Sequence, residues 1–250
     1  MSPVSELYTR MQVPDAALLD RRMAKKLFVE NGELSVADKK TLSENVEQIL
    51  WKYTFKPITV AIASYTDEER EYTEVALLEV SVRSRKGVDR LAQLIHRTVP
   101  YPVLLVLTDD NGAAVSVAEK RLSKAEAGAW VATEFALTPW SSDPPSELDL
   151  AFFDSLHFRS LNQQDFLAFY GAVHTRVVAR SCGDTTGRFQ LDASSPSERE
   201  ARRKQAQQLQ KEIDRARAEL RGGPSVARSV ELNVEIQDLK RRLTRELETL

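Results

Sequence analysis

The chain has 250 residues, 42% of them hydrophobic, enough to bury one substantial core with length to spare. Its 35 Lys+Arg nearly balance its 37 Asp+Glu, which excludes a global field that would gather nucleic acid or membrane lipid. The single cysteine, Cys182, excludes an internal disulfide and a cysteine-based zinc site. No stretch approaches the roughly 20 apolar residues that span a bilayer.

MSPVSELYTRMQ lacks the apolar core of a signal peptide, so the expectation is a cytoplasmic protein without a membrane partner. In PDAALLDRRMAKKLFVE (14–30), Leu19, Met23 and Leu27 stand four apart, and the spacing predicts a helix that exits at Asn31-Gly32. Ser35 and Asp38 have the spacing of a capping box for a second short helix. From Ile49 the period changes. Ile49, Trp51, Tyr53 and Phe55 alternate with polar residues, as in a half-buried strand, until Pro57 stops the run.

ITVAIAS (58–64) reads as a further strand, TDEERE (66–71) as a charged loop, and EVALLEVSV (74–82) as the best strand in the chain. GVDRLAQLIHRTV (87–99) puts Val88, Leu91, Leu94 and Ile95 on one helical face. PVLLVLT (102–108) is continuously apolar, as in a strand covered on both faces. Asp110-Asn111-Gly112 then supplies a tight turn of residues that tolerate positive φ, and AVSVAEKR (114–121) returns antiparallel. The strand–helix–strand from 74 to 108 has the length of a parallel crossover. Residues 1–140 are thus expected to form an α/β (α+β) core domain, a mixed sheet of about five strands flanked by helices.

SSDPPSELD (141–149) reads as a linker, and 150–180 as a helical extension packing on the core. Residues 181–199, poor in aliphatics, read as a polar break that isolates the C-terminal segment. In 197–250, apolar residues step by three and four. Ala206, Leu209, Ile213, Ala216 and Leu220 come first, then RGGPS (221–225), then Leu232, Ile236, Leu239, Leu243, Leu247 and Leu250. This predicts an antiparallel helical hairpin with coiled-coil spacing, each arm roughly 36 Å long. Two helices enclose little volume, so Leu209, Ile213, Leu220, Leu232, Ile236, Leu239 and Leu243 are candidate partner-binding residues, for another protein or a second copy.

Chemistry is sparse. Glu79 lies mid-strand with Arg83 four residues on, and Asp109 ends the next strand. Metal-dependent nucleases of the restriction-endonuclease-like fold place a lysine two residues after such an acid, to stabilise phosphate charge beside Mg²⁺. Here that position is Ser81, and arginine substitutes poorly for lysine. The topology is compatible with that fold, but Glu79, Arg83 and Asp109 form a catalytic set, with Mg²⁺ as cofactor, only under an alternative nuclease reading. The preferred reading has no catalytic residue, metal or cofactor. His96, His157 and His174 lack ligand spacing, Cys182 has no base near it in sequence, and no glycine-rich phosphate loop occurs. Two basic clusters, Arg21, Arg22, Lys25 and Lys26, and Arg202 and Arg203 at the start of the tail, are candidate nucleic-acid contacts.

The blocks RRMAKKLFVENGELSVADKKTLSENVEQILWKYTFKP, EREYTEVALLEVSV, IHRTVPYPVLLVLT and SVELNVEIQDLKRRL resemble a bacterial family of uncharacterised proteins. Genes of that family commonly lie beside helicase and DNA-methyltransferase genes of restriction-modification or phage-defence type. Its relatives often carry a lysine just after the third strand, where this chain has Arg83. The resemblance implies an accessory protein that docks a helicase or methyltransferase, and it brings no catalytic residue with it.

Overall fold

The computed structural model describes residues 2–32, 34–124, 129–192 and 194–250. In chain order it contains α1 (Pro3–Met11), β1 (Leu18–Arg22), α2 (Lys25–Asn31), α3 (Val36–Glu44), β2 (Val46–Phe55) and α4 (Pro57–Val60). There follow β3 (Tyr65–Thr66), β4 (Glu71–Tyr72), β5 (Val75–Val82), α5 (Val88–Thr98), β6 (Val103–Asp109), β7 (Gly112–Leu122), β8 (Trp130–Leu137) and β9 (Ser141–Ser142). The chain ends with α6 (Glu147–Ser155), α7 (Phe166–Thr186), α8 (Pro196–Arg221) and α9 (Val226–Glu248).

A seven-stranded mixed sheet organises the protein in the order β1-β2-β5-β6-β7-β8, with β9 continuing along the β7 edge beyond β8. Within this sheet, among the described residues, only β5 and β6 pair in parallel, joined by α5 as the crossover. Strand alternation sorts the core into two layers. Val75 and Leu77 of β5, with Leu104 and Val106 of β6, face a layer built from α1, α6 and α7. Ala76, Leu78, Val80 and Val82, with Leu105 and Leu107, face α2, α3 and α5. The continuously apolar β6 is therefore central and covered on both sides.

Where the chain departs from the expected elements, tertiary pairing or a local cap decides. The helix expected over 14–30 is instead a short 3₁₀ turn, strand β1 and helix α2. Leu18, Arg21 and Arg22 pair with Tyr53, Trp51 and Leu50 of β2, and a bulge places Asp20 at φ 46°. Three apolar residues spaced by four do not outweigh a row of ladder hydrogen bonds, and Leu18 and Leu19 stay exposed on this edge. The strand expected over 58–64 is also absent. Pro57 starts the helical turn α4, Thr59 Oγ1 accepts from the Lys56 N–H, Ala61 turns left-handed, and Ile58 points to solvent. Within the expected charged loop, β3 and β4 form a two-stranded hairpin.

The β6–β7 turn forms where expected, but neither Asp110 nor Asn111 has positive φ. Gly112 is needed for close approach, since a Cβ there would meet the Ser141 carbonyl oxygen of β9 at 2.1 Å. β8 and β9 raise the strand number above the expected five.

The polar break is shorter than expected, because α7 continues to Thr186 and buries Ser181, Cys182 and Gly183. Ser181 Oγ is satisfied by the Val177 and Leu137 carbonyls, so its hydroxyl does not oppose burial. α8 packs on α7, and Ala206 and Leu250 lie in the same apolar cluster as Phe152, Phe169 and Val177. Arg199, 1% exposed, fastens this base by donating to the carbonyls of Gln190 and Leu250.

Candidate functional site

The candidate nuclease set does not converge. Glu79 lies on β5 opposite Leu50, and its Oε2 accepts a 2.7 Å hydrogen bond from the Tyr8 hydroxyl of α1. Arg83 falls just past the end of β5, where it pairs with Glu47 and donates to the Glu44 carbonyl. Asp109 is held at the end of β6 by Nε and Nη2 of Arg85, which donate to its two oxygens at 2.6 and 3.0 Å. That hydrogen-bonded pairing pulls the Asp109 carboxyl below its usual range. Other acids near the strand are similarly engaged, Asp67 by the Tyr65 hydroxyl and Glu69 by Lys124.

The register supplies a neighbour that sequence spacing does not reveal. Lys52 of β2 lies close enough to Glu79 for its charge to raise the lysine pKa, although the 2.8 Å bond to Asp20 raises it more. Its Nζ also sits 6.0 Å from the Tyr8 ring centroid. Asp20, Lys52, Tyr8 and Glu79 thus form one polar cluster at the β1–β2–β5 side of the sheet. The only signal in the sequence is a lysine within an alternating strand, unreadable until the pairing of β2 with β5 is known.

The basic clusters do not build one groove. Arg21 and Arg22 lie on the exposed edge strand β1, where charge discourages pairing with another sheet. Lys25 opens α2, a different element, and donates to the carbonyls of Ser43 and Val46. Lys26 pairs with Glu30. Arg202 donates to the Thr249 carbonyl and Ser194, while Arg203 makes a two-pronged contact with Glu200. Of the six, Lys25 and Arg202 tie separate elements together, while Lys26 and Arg203 pair within their own helices.

The hairpin seam is consumed by the hairpin itself. Leu209, Ile213 and Leu239 close one cluster with Leu243, and Ala216, Leu232 and Ile236 close the next with Leu220. Among the described residues both clusters contain members of α8 and α9 alone, so the apolar seam of the distal arms is closed by the two helices themselves. Leu239→Ala is accordingly expected to cost about 2 kcal/mol or more locally. Hydrogen exchange should quicken in α8 and α9 while amides of β5 and β6 keep their protection.

The outer face of α9 differs. Val226, Val230 and Val234 are 83%, 60% and 64% exposed, and each lies four residues from the next. At 100° per residue, Val230 points about 160° away from Leu232, opposite the seam. β-branched residues weaken a solvated helix face, so this row has no local reason to be there.

Among the described residues, one group has the mutual spacing of a metal site: Glu119, Glu134 and His174. Cys182 is buried beneath α8, and burial pushes its thiol up, away from nucleophilic use. No helix among the described residues is long and apolar enough to cross a membrane.

A family model described as domain of unknown function DUF4391 matches residues 11–243. The chain belongs to that family. No curated protein and no solved structure matches it.

Proposed function

We propose that this DUF4391 protein is a non-catalytic accessory protein of a bacterial DNA restriction or phage-defence system, docking a helicase or DNA methyltransferase through its C-terminal hairpin. The observation that carries the reading is the exposed row Val226, Val230 and Val234, on a hairpin whose distal apolar cluster holds residues of α8 and α9 alone among the described residues. The hairpin seam itself is closed, so the docking residues move from the seam leucines to the outer face of α9. An apolar helix face of this kind suits a groove on another protein, with anchors spaced by four. The class of partner rests on the sequence resemblance.

Co-expression with a helicase or DNA methyltransferase of a restriction or defence operon tests the proposal. The wild-type chain should co-purify with one of them. Val230→Glu or Val234→Glu should abolish the complex, because an unpaired charge is costly in a desolvated contact. Melting temperature should stay within the small range typical of surface changes, about ±0.5 kcal/mol in stability. A complex that survives both substitutions, or no complex with either enzyme, would remove the hairpin as a docking element.

A second reading, a divergent Mg²⁺-dependent nuclease, draws on the placement of Lys52 beside Glu79 and Asp20. A lysine arriving from the neighbouring strand would supply the charge that Arg83 does not. Divalent-dependent DNA nicking that disappears in both Glu79→Ala and Lys52→Ala would select this reading over the scaffold.

A further inference from the structure

Where β7, β8 and α7 meet, beneath the start of α8, two carboxylates and an imidazole converge on one point. Glu119, Glu134 and His174 each bring a ligand-type atom, and the three atoms lie within 4.8 Å of one another. Glu134 reaches the cluster through a bulge. Pairing passes from Val117–Ala136 to Glu119–Thr133, so two residues of β8 stand against one of β7. Glu134 takes φ 48° there, a conformation that costs a non-glycine residue free energy. Bulges of this kind re-aim side chains, and here the re-aimed group is a carboxylate facing another.

The charge of this cluster is only partly balanced, with the positive charge of Arg70 opposing it at Glu119. Among the described residues, neither Glu119 nor Glu134 forms an ion pair with a lysine or arginine. Burial, and then the charge of Glu134, push the Glu119 carboxyl up. His174 is 2% exposed, and burial lowers its pKa to about 4, against weaker opposing effects from the Glu134 backbone and from Glu200. Its Nδ1 lies 4.0 Å from Glu119 Oε1, so the buried ring is aimed at the carboxylate. Glu134 and His174 line a cavity of about 500 Å³, together with Gln93, Ser197, Glu200 and Lys204.

We propose that Glu119, Glu134 and His174 bind one divalent first-row transition-metal ion, with Zn²⁺ as its chemical type. One imidazole and two carboxylates suit such an ion, whereas Mg²⁺ and Ca²⁺ favour oxygen-only sets. The ion offsets the repulsion between the glutamates and ties β7, β8 and α7 together under α8. Three protein donors leave one tetrahedral position open toward the cavity, where a water completes the set.

The test uses the full chain after EDTA treatment, with Zn²⁺ alone as the probe, by calorimetry and by metal analysis after gel filtration. One Zn²⁺ per chain should bind in the micromolar range or tighter and raise the melting temperature. Glu119→Gln and Glu134→Gln, nearly isosteric changes at half-exposed and exposed positions, should each weaken binding by about tenfold or more. His174→Ala should abolish it, and because that ring is buried, the two glutamine variants decide the matter if it fails to fold. His157→Ala, at a half-buried histidine elsewhere, should leave Zn²⁺ binding unchanged. Absence of stoichiometric Zn²⁺, binding unchanged in the Glu119→Gln/Glu134→Gln double variant, or binding lost in His157→Ala would each overturn the site.

Discussion

Replacing Arg180 with leucine is expected to destabilise the protein by about 3–5 kcal/mol, the usual cost of breaking a buried ion pair from one side. Arg180 on α7 and Asp149 on α6 are each 5% exposed in their side chains. Nε and Nη2 of Arg180 donate to Asp149 Oδ1 at 3.0 and 2.7 Å, and Nη1 reaches Asp184 at 2.6 Å. The second oxygen of Asp149 is already used, accepting from the backbone and hydroxyl of Ser146 in the capping box of α6. Without the guanidinium, a carboxylate remains buried with half of its acceptors unmet. Denaturant unfolding of Arg180→Leu, Asp149→Asn and the double variant should show the double costing clearly less than the sum. Additive losses, or a single-variant cost below about 1 kcal/mol, would mean the pair does not join α6 to α7.

That contact also shows why part of the fold is readable in the sequence and part is not. The β5–α5–β6 crossover is written in period alone, since strand alternation gives way at Gly87 to a helical face of Val88, Leu91, Leu94 and Ile95. The hairpin is equally explicit, with steps of three and four on both sides of Gly222-Gly223-Pro224. β1 reads as helix because Leu19, Met23 and Leu27 mimic one, while the strand's real support is the ladder to β2, invisible in its own residues. β8 escapes detection because its bulge at Glu134 and Phe135 breaks the alternation that would mark it. The polar end of α7 resembles a loop because Ser181, which opens the expected break, finds its partner on β8.

The candidate sites obey the same rule. Lys52 approaches Glu79 only through the register of β2 on β5, and His174 meets Glu119 and Glu134 only after α7 docks on the sheet. Ligand spacing along the chain reveals neither. The valine row on α9 is legible in principle, as Val226, Val230 and Val234 stand four apart, but the leucine seam of the same helix is the stronger periodic signal and masks it.

Stability is expected to fall by about 2 kcal/mol for each buried histidine as pH drops from about 7.5 to about 5, and His96 carries the clearest case. Its ring is fully buried on α5, against Phe135, with Nε2 3.0 Å from Ser116 Oγ and Nδ1 without a partner. Burial, and then the charges of Lys120 and His174, lower its pKa to about 3. Lys120 is itself 0% exposed, with Nζ donating to the His96 and Val99 carbonyls at the end of α5. The unfolded chain titrates near the ordinary value of about 6.5, so between about 3 and 6.5 it binds a proton that the folded chain refuses. Stability is therefore full above about 6.5 and is lost as pH falls toward the folded values, with His174 acting in the same direction. Most carboxylates stay ionised at about pH 5, which isolates the histidine contribution. Urea unfolding in EDTA should show His96→Gln, whose amide can still meet Ser116, losing about 2 kcal/mol less than the wild type over this interval. A variant that keeps the full wild-type slope would show that His96 takes its proton without unfolding the α5–β7–β8 layer.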